Sequence, residues 1–244
     1  MSGPFNPSAR IYDVIYANVD YPEHAAVVER AIRDRRPEAR SLLDVACGTG
    51  KHLEILGARF DHVEGLDVDP AMLAVARERL PGVTLHEADM VGFDLGRRFD
   101  AVTCLFSSIG YVQTLDALHA AVATQAAHLE PGGVLVVEPW LWPSMISEPH
   151  RIRVQVTETP DLVVARTARW LNPDTALDEG ISRMEFAYLV TEPDGSELIT
   201  EWHDLGLFTP EQYVAAFEAA GLDTEFDGVG TRVARGLAIG VARP

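Results

Sequence analysis

The feature that most restricts this chain is a series of short, nearly continuous apolar runs alternating with longer stretches of helical periodicity. Ser41–Cys47, His62–Leu66, Val83–Leu85, Ala101–Phe106 and Val134–Val137 are the runs. Between them lie a segment from about Lys51 to Arg59, another opening at Asp69-Pro70, and a third at Leu115–Leu129. A strand that is apolar on both faces must be covered on both, so the pattern predicts a parallel sheet sandwiched between helices. Asp69 before Pro70 reads as an N-cap followed by proline at the first helical position. Pro131-Gly132-Gly133 reads as a turn into the fifth strand. Ahead of the sheet, Ile11, Ile15, Val19 and, after Pro22, Ala26, Val27, Ala31 and Ile32 recur at helical spacing.

The rhythm changes after Pro139. Arg151–Thr157, Leu162–Trp170, Ile181–Val190 and Leu198–Leu205 read as antiparallel strands with polar turns, Pro193-Asp194-Gly195 among them. It then resumes with a helix over Pro210–Ala220 begun by Thr209 and with strands Leu222–Phe226 and Gly236–Val241. The expectation is an α/β fold: a Rossmann-like domain from residues 1–139 and 206–244, with an N-terminal helical cap and a mostly parallel seven-stranded sheet. Residues 140–205 would form an inserted antiparallel β lobe on the substrate or dimer side.

Composition removes several classes of function. The 244 residues are 47% hydrophobic with mean hydropathy +0.02, enough for a sizeable core. No apolar run approaches the roughly 18 residues of a membrane span, and Met1–Arg10 lacks the apolar stretch of a signal peptide, so a cytoplasmic protein is expected. A net charge of −17 argues against nucleic acid as a partner, because phosphate backbones need a basic footprint. A small phosphorylated ligand stays open, since a few arginines suffice for it. Cys47 and Cys104 sit in apolar segments and suggest neither a disulfide nor a metal framework.

The sharpest motif is Leu42-Leu43-Asp44-Val45-Ala46-Cys47-Gly48-Thr49-Gly50, where the first strand turns into a helix. Glycines let backbone approach a ligand, and a helix N-terminus offers free N–H groups. Asp67 ends the second strand, where a carboxylate can take both hydroxyls of a ribose. Asp89-Met90 follows the third, where an acid can accept an adenine amino group and an apolar chain can cover the ring. Each acid alone also suits a solvated strand end; their register on successive strands makes them a set. A dinucleotide fingerprint wants a third glycine where Leu53 stands, so the motif favours S-adenosylmethionine (SAM), which has no pyrophosphate, over NAD.

From these residues the chain resembles the class I SAM-dependent methyltransferases over about residues 40–138, with Asp44-x-x-Cys47-Gly48-x-Gly50 as their first motif. The resemblance implies that Ala46 and Gly48 offer backbone contacts to the methionine part, with Cys47 and Gly50 also binding the cofactor, that Asp67 binds ribose, and that Asp89 and Met90 bind adenine. Further strings resemble the N,N-dimethyltransferases of nucleotide-linked deoxyaminosugars of the desosamine and mycaminose type. These are Phe106-Ser107-Ser108-Ile109-Gly110-Tyr111, Val137-Glu138-Pro139-Trp140, Leu207-Phe208-Thr209 and Arg235-Gly236-Leu237. That resemblance implies Tyr12 and Tyr21 closing over SAM, Tyr111 facing the sugar as an orienting group, and Arg235 meeting the nucleotide's phosphates. It also implies Glu138 and Trp140 in the acceptor site, no metal, and a homodimer.

The residues alone leave alternatives. Tyr111 also fits a loop aromatic packed on the sheet edge, Arg235 a surface charge, and Trp140 and Trp142 packing between the lobes. Phe5 is the nearest N-terminal-arm aromatic and takes no role. Gly228–Arg235 differs from the shorter loop expected of the family, so only Arg235 is assigned to phosphate. Rival readings are a methyltransferase for another small acceptor, a SAM-binding scaffold, and an NAD-dependent dehydrogenase.

Overall fold

The structure is a computed structural model, and it describes residues 8–227 and 235–243. Phe5 and residues 228–234 therefore lie outside the described residues. A short N-terminal helix α1 (Tyr12–Ile15) and α2 (Tyr21–Arg33) precede the first sheet. Its strands are β1 (Ser41–Val45), β2 (His62–Asp67), β3 (Thr84–Glu87), β4 (Phe99–Cys104), β5 (Leu129–Val137), β10 (Leu222–Asp227) and β11 (Leu237–Ala242). They lie in the order β10-β11-β5-β4-β1-β2-β3, and β11 runs antiparallel to both its neighbours. The helices are α3 (Lys51–Gly57), α4 (Pro70–Arg79), α5 (Leu115–Ala127) and α7 (Pro210–Ala219). The expected mostly parallel seven-stranded sheet is present.

Strand alternation divides the core. Leu43, Val45, Val102, Leu135 and Val137 pack against Leu118 and Val122 of α5 and Phe217 of α7. Leu42, Ala101, Val134 and Val136 face the other way, onto Val28 and Ile32 of α2 and Leu53 and Leu56 of α3. The helix starts follow local chemistry. The Asp69 side chain accepts from Ala71 N, and Thr209 and Gln212 form a reciprocal capping box at α7.

Two local expectations change. Pro131-Gly132-Gly133 is a bulge within β5 rather than a turn before it: the register against β4 shifts between Phe99 and Ala101. A Cβ on Gly133 would lie 2.8 Å from the Glu130 carbonyl oxygen, so the bulge needs glycine there. The fourth strand stops at Cys104, because Phe106 and Ser107 turn into the left-handed region with φ of 55° and 66°.

The remaining strands form a separate antiparallel sheet, β6 (Arg153–Thr159), β7 (Leu162–Trp170), β8 (Ile181–Glu192) and β9 (Gly195–Gly206), with the one-turn helix α6 (Ala176–Glu179) between β7 and β8. Its inner face carries Val164, Tyr188, Val190 and Ile199, which bury Ile11 and Ile15 of the N-terminal segment. Trp170, Met184 and Leu205 pack with Leu207 and Trp140, joining the second sheet to the end of β5.

Candidate active site

In this strand order the chain reverses direction of winding between β1 and β4, and a crevice forms where adjacent strands send their connections to opposite sides. The turn Ala46–Gly50 lies at that crevice. Gly50 has φ of 78°, and a Cβ there would come within 2.7 Å of Leu80 Cδ1, so both conformation and packing call for glycine. Ala46 is also left-handed, at φ 58°.

Asp67 fixes the turn. Its Oδ2 accepts from Gly48 N at 2.8 Å and its Oδ1 from Asp69 N at 2.9 Å. A carboxylate has about four lone-pair positions, so two remain for a ligand. Burial raises the Asp67 pKa against these backbone bonds. One strand away, Asp44 is fully buried and accepts from Thr103 Oγ1 at 2.7 Å. Burial, opposed by that bond and reinforced by Asp67, lifts its pKa to about 7.

Ala46, Asp67, Asp89, Met90 and Tyr111 line one cavity of about 250 Å³, with Leu66, Val68, Ala88, Val91 and Val112 completing its wall. Residues expected on the cofactor side and the tyrosine expected on the acceptor side thus meet in one chamber. Cys47, Gly48 and Gly50 do not line it; Cys47 N donates to the Leu66 carbonyl at 2.9 Å, and Gly48 N to Asp67. A larger, shallow depression of about 600 Å³ over Phe93, Arg97, Thr124 and His128 contains none of the expected residues.

The N-terminal segment covers the crevice with aromatic rings. Tyr12 lies 4.7 Å from Tyr16, which meets Phe106 edge-on at 5.0 Å. Tyr21 packs on His52 at 4.9 Å and on Phe106 at 6.1 Å. The Tyr21 hydroxyl is buried with no hydrogen-bond partner among the described residues, an acceptor and donor left over for a ligand. Asp13 clamps the cover down: Thr49 Oγ1 donates to it at 2.8 Å, and Arg79 bonds both Asp13 and the Thr49 carbonyl. Sequence reasoning passed over Asp13, Thr49 and Arg79, which lie on three separate elements.

Glu138, at the end of β5, organises the acceptor side. It is 4% exposed, and its Oε2 accepts from Phe106 N at 2.6 Å, which holds the left-handed turn. His24 Nε2 stands 3.2 Å from the same oxygen without hydrogen-bond geometry, while His24 Nδ1 is 2.7 Å from His52 Nε2. Burial and the neighbouring His24 lower the His52 pKa to about 3, so that ring stays neutral. Arg235 Nη1 donates to Ser107 Oγ at 2.6 Å, lies 3.8 Å from Glu138 Oε1, and its guanidinium sits 4.7 Å above the Trp140 ring. Trp140 Nε1 donates to Ser182 Oγ at 2.9 Å, so this ring both packs between the sheets and carries Arg235. Trp142 is buried against Phe226. Tyr111, 49% exposed onto the cavity, has its hydroxyl 2.6 Å from His203 Nδ1, a partner absent from the sequence reading. Desolvation in the recess, then Tyr16, Tyr188, Glu201 and Asp67, hold the Tyr111 pKa above the usual phenol range. Tyr111 is therefore a neutral phenol at physiological pH.

This fold and site define a methyltransferase: a family described as "Methyltransferase domain" matches residues 42–133. A dTDP-3-amino-3,4,6-trideoxy-α-D-glucopyranose N,N-dimethyltransferase from Streptomyces venezuelae is 43% identical, over 96% of this chain and 97% of its own length. A dTDP-4-amino-2,3,4,6-tetradeoxy-D-glucose N,N-dimethyltransferase from Saccharopolyspora spinosa is 39% identical, over 98% and 95%. The solved SAM-bound structure of CalS10, an amino pentose methyltransferase from Micromonospora echinaspora involved in calicheamicin biosynthesis, is 42% identical. It covers 95% of this chain and 96% of its own, with a TM-score of 0.83. The chain belongs to the family of aminosugar N,N-dimethyltransferases, which sets aside the dehydrogenase and the silent scaffold.

Asp44 supplies a test of the buried electrostatics. Its folded-state pKa, about 7, exceeds the ordinary 3.8. The folded state therefore binds more protons between those values, and stability falls as pH rises through that window. Asp44→Asn removes the effect. The melting temperature of the variant minus that of the native protein should climb from pH 4 to about pH 7 and level off above. A difference flat from pH 5 to 8 would contradict this environment for Asp44.

Proposed function

We propose that this chain methylates, twice, the amino group of a dTDP-type nucleotide-linked deoxyaminosugar in natural-product biosynthesis, with SAM as the methyl donor. The observation that carries the reading is the single cavity shared by Ala46, Asp67, Asp89, Met90 and Tyr111. The residues present fit SAM: Ala46, Cys47, Gly48 and Gly50 would flank its methionine part, and Asp67 its ribose through the carboxylate's two remaining lone-pair positions. Asp89 and Met90 would take the adenine, with Tyr12 and Tyr21 as the cover, the orphaned Tyr21 hydroxyl finding its partner there. When bound, SAM supplies a methyl group already activated as a sulfonium.

What the chain contributes is alignment. Tyr111 orients the acceptor nitrogen, and Arg235, steadied by Trp140 and Glu138, engages the diphosphate. Such positioning can supply roughly 7–11 kcal/mol. The relatives include both 3-amino and 4-amino enzymes, so the acceptor class spans both positions.

We also propose a homodimer formed through the outer face of the antiparallel sheet, a domain of residues 140–205 set into the SAM-binding domain of 1–139 and 206–244. Val154, Val156, Leu189, Leu198 and Trp202 are 48–72% exposed on that face. A row of exposed apolar side chains along one sheet face supports this reading. No helix among the described residues is long and apolar enough to cross a membrane, and the site is proposed to act in the cytoplasm without nucleic acid.

Mass spectrometry of reactions with a panel of dTDP-linked 3-amino and 4-amino sugars should show a doubly methylated product. SAM binding without methylation of any member would contradict the substrate. With the accepted sugar, Arg235→Ala should raise KM far more than it lowers kcat, because phosphate contacts are equal in ground and transition states; an unchanged KM would remove Arg235 from that role. Sedimentation should give a dimer that Leu198→Asp dissociates, whereas a native monomer would count against the interface.

A further inference from the structure

Alternation along β9 puts Glu201 and His203 on the face turned toward the cavity, two residues apart. His203 Nδ1 lies 2.6 Å from the Tyr111 hydroxyl, and its Nε2 stands 3.6 Å from Glu201 Oε2. Glu201 is 7% exposed and accepts from Ser8 N at 2.8 Å and Ser8 Oγ at 2.9 Å. Burial opposes its charge, but His203 and both Ser8 donors outweigh that and hold the carboxyl below the usual Glu range. Among the described residues, the groups facing this pair from other elements include Tyr12 and Tyr16 of the N-terminal segment, Tyr188 of β8 and Asp67 of β2, of which Tyr16, Tyr188 and Asp67 raise the Tyr111 pKa. Arg166 of β7 brings a cation to this side, stacked over Tyr16 and Phe186. The Phe186 ring meets His203 edge-on at 5.1 Å.

An ionised Glu201 favours the imidazole tautomer with its proton on Nε2, leaving Nδ1 a bare acceptor. The Tyr111 hydroxyl then donates to Nδ1, and its oxygen presents lone pairs to the chamber it lines. Methyl transfer to a primary amine leaves a secondary ammonium ion, which has no lone pair until it sheds a proton. A second transfer at the same nitrogen therefore needs a route for that proton out of the chamber.

We propose that His203, backed by Glu201, is the proton acceptor behind Tyr111 and clears the ammonium proton between the two methyl transfers. This rests on the aminosugar reading above. The ammonium N–H bond breaks as that proton bonds to the Tyr111 oxygen, and the Tyr111 O–H proton moves to His203 Nδ1. The amine is left neutral with its lone pair restored, the phenol is again neutral, and the imidazolium faces the Glu201 carboxylate. His203, whose side chain is 18% exposed, then yields the proton to water. His203 acts through Tyr111 and is a positioning and relay residue.

His203→Asn separates relay from orientation, because asparagine keeps a hydrogen-bonding group near Nδ1 but cannot hold the extra proton. With SAM affinity by calorimetry as the check on folding, the variant should accumulate monomethylated sugar at pH 6.5. Its second methylation should slow at least about tenfold, toward the roughly 10²–10⁴-fold typical of proton-transfer groups. The deficit should close above about pH 9, as more of the amine becomes neutral near the amine range. A native mono-to-dimethyl ratio at every pH would overturn the proposal. Independently of any substrate, imidazole ¹⁵N NMR of the native protein should show His203 as the Nε2–H tautomer, perturbed by Tyr111→Phe; an Nδ1–H tautomer would overturn it. If the native protein methylated no aminosugar, the substrate reading would fail while the NMR result still decided the relay geometry.

Discussion

The hydrogen bond from Gly48 N to the Asp67 carboxylate ties the turn after β1 to the end of β2, and the rest of the site is built around it. A buried carboxylate is costly unless its oxygens are bonded, and here the protein spends one backbone donor on each oxygen. The result is a carboxyl group fixed in the cavity wall with lone pairs left over. The left-handed backbone at Ala46 and Gly50 bends the chain around it, and α3 begins directly afterwards. Asp44 stands one strand away, where burial and the neighbouring Asp67 lift its pKa to about 7 against the bond from Thr103.

The acceptor side depends on a second buried carboxylate. Glu138 holds Phe106 in a conformation that a non-glycine residue rarely adopts, and Ser107, next in the chain, is fixed by its bond to the Pro139 carbonyl. That turn starts the short 3₁₀ segment Ser108–Val112, which delivers Tyr111 to the cavity. The antiparallel sheet meets it from the other side with His203, while Ser8 of the N-terminal segment bonds Glu201. The N-terminal segment, the antiparallel sheet and the mostly parallel sheet thus converge on one phenol. Arg235 reaches the same region through Ser107 and Trp140.

Much of this was legible in the sequence because it follows local rules. The apolar runs gave the strands, Asp69-Pro70 and Thr209 gave helix starts, and the glycine turn with Asp67 and Asp89 marked one edge of a cavity that the structure closes with Tyr111. What escaped was non-local. Asp13, Thr49 and Arg79 meet from positions up to 66 residues apart, and nothing near any of them announces the clamp. The end of β4 was misplaced because Phe106 is apolar and strand-like in sequence, while its conformation is set by Glu138, 32 residues on. Glu201 and His203 did carry a signal, two polar residues on the inward phase of an alternating strand. That signal shows only once the inward phase is known.

We propose that the Gly48–Asp67 arrangement is the cofactor cradle. Calorimetric titration of SAM into the native protein and into Asp67→Ala measures it directly. Loss of a charged hydrogen-bonding partner should weaken binding by about 1.5–3 kcal/mol, roughly ten- to hundredfold in Kd, with the fold intact by circular dichroism. A folded Asp67→Ala protein that binds SAM as tightly as the native one would contradict it.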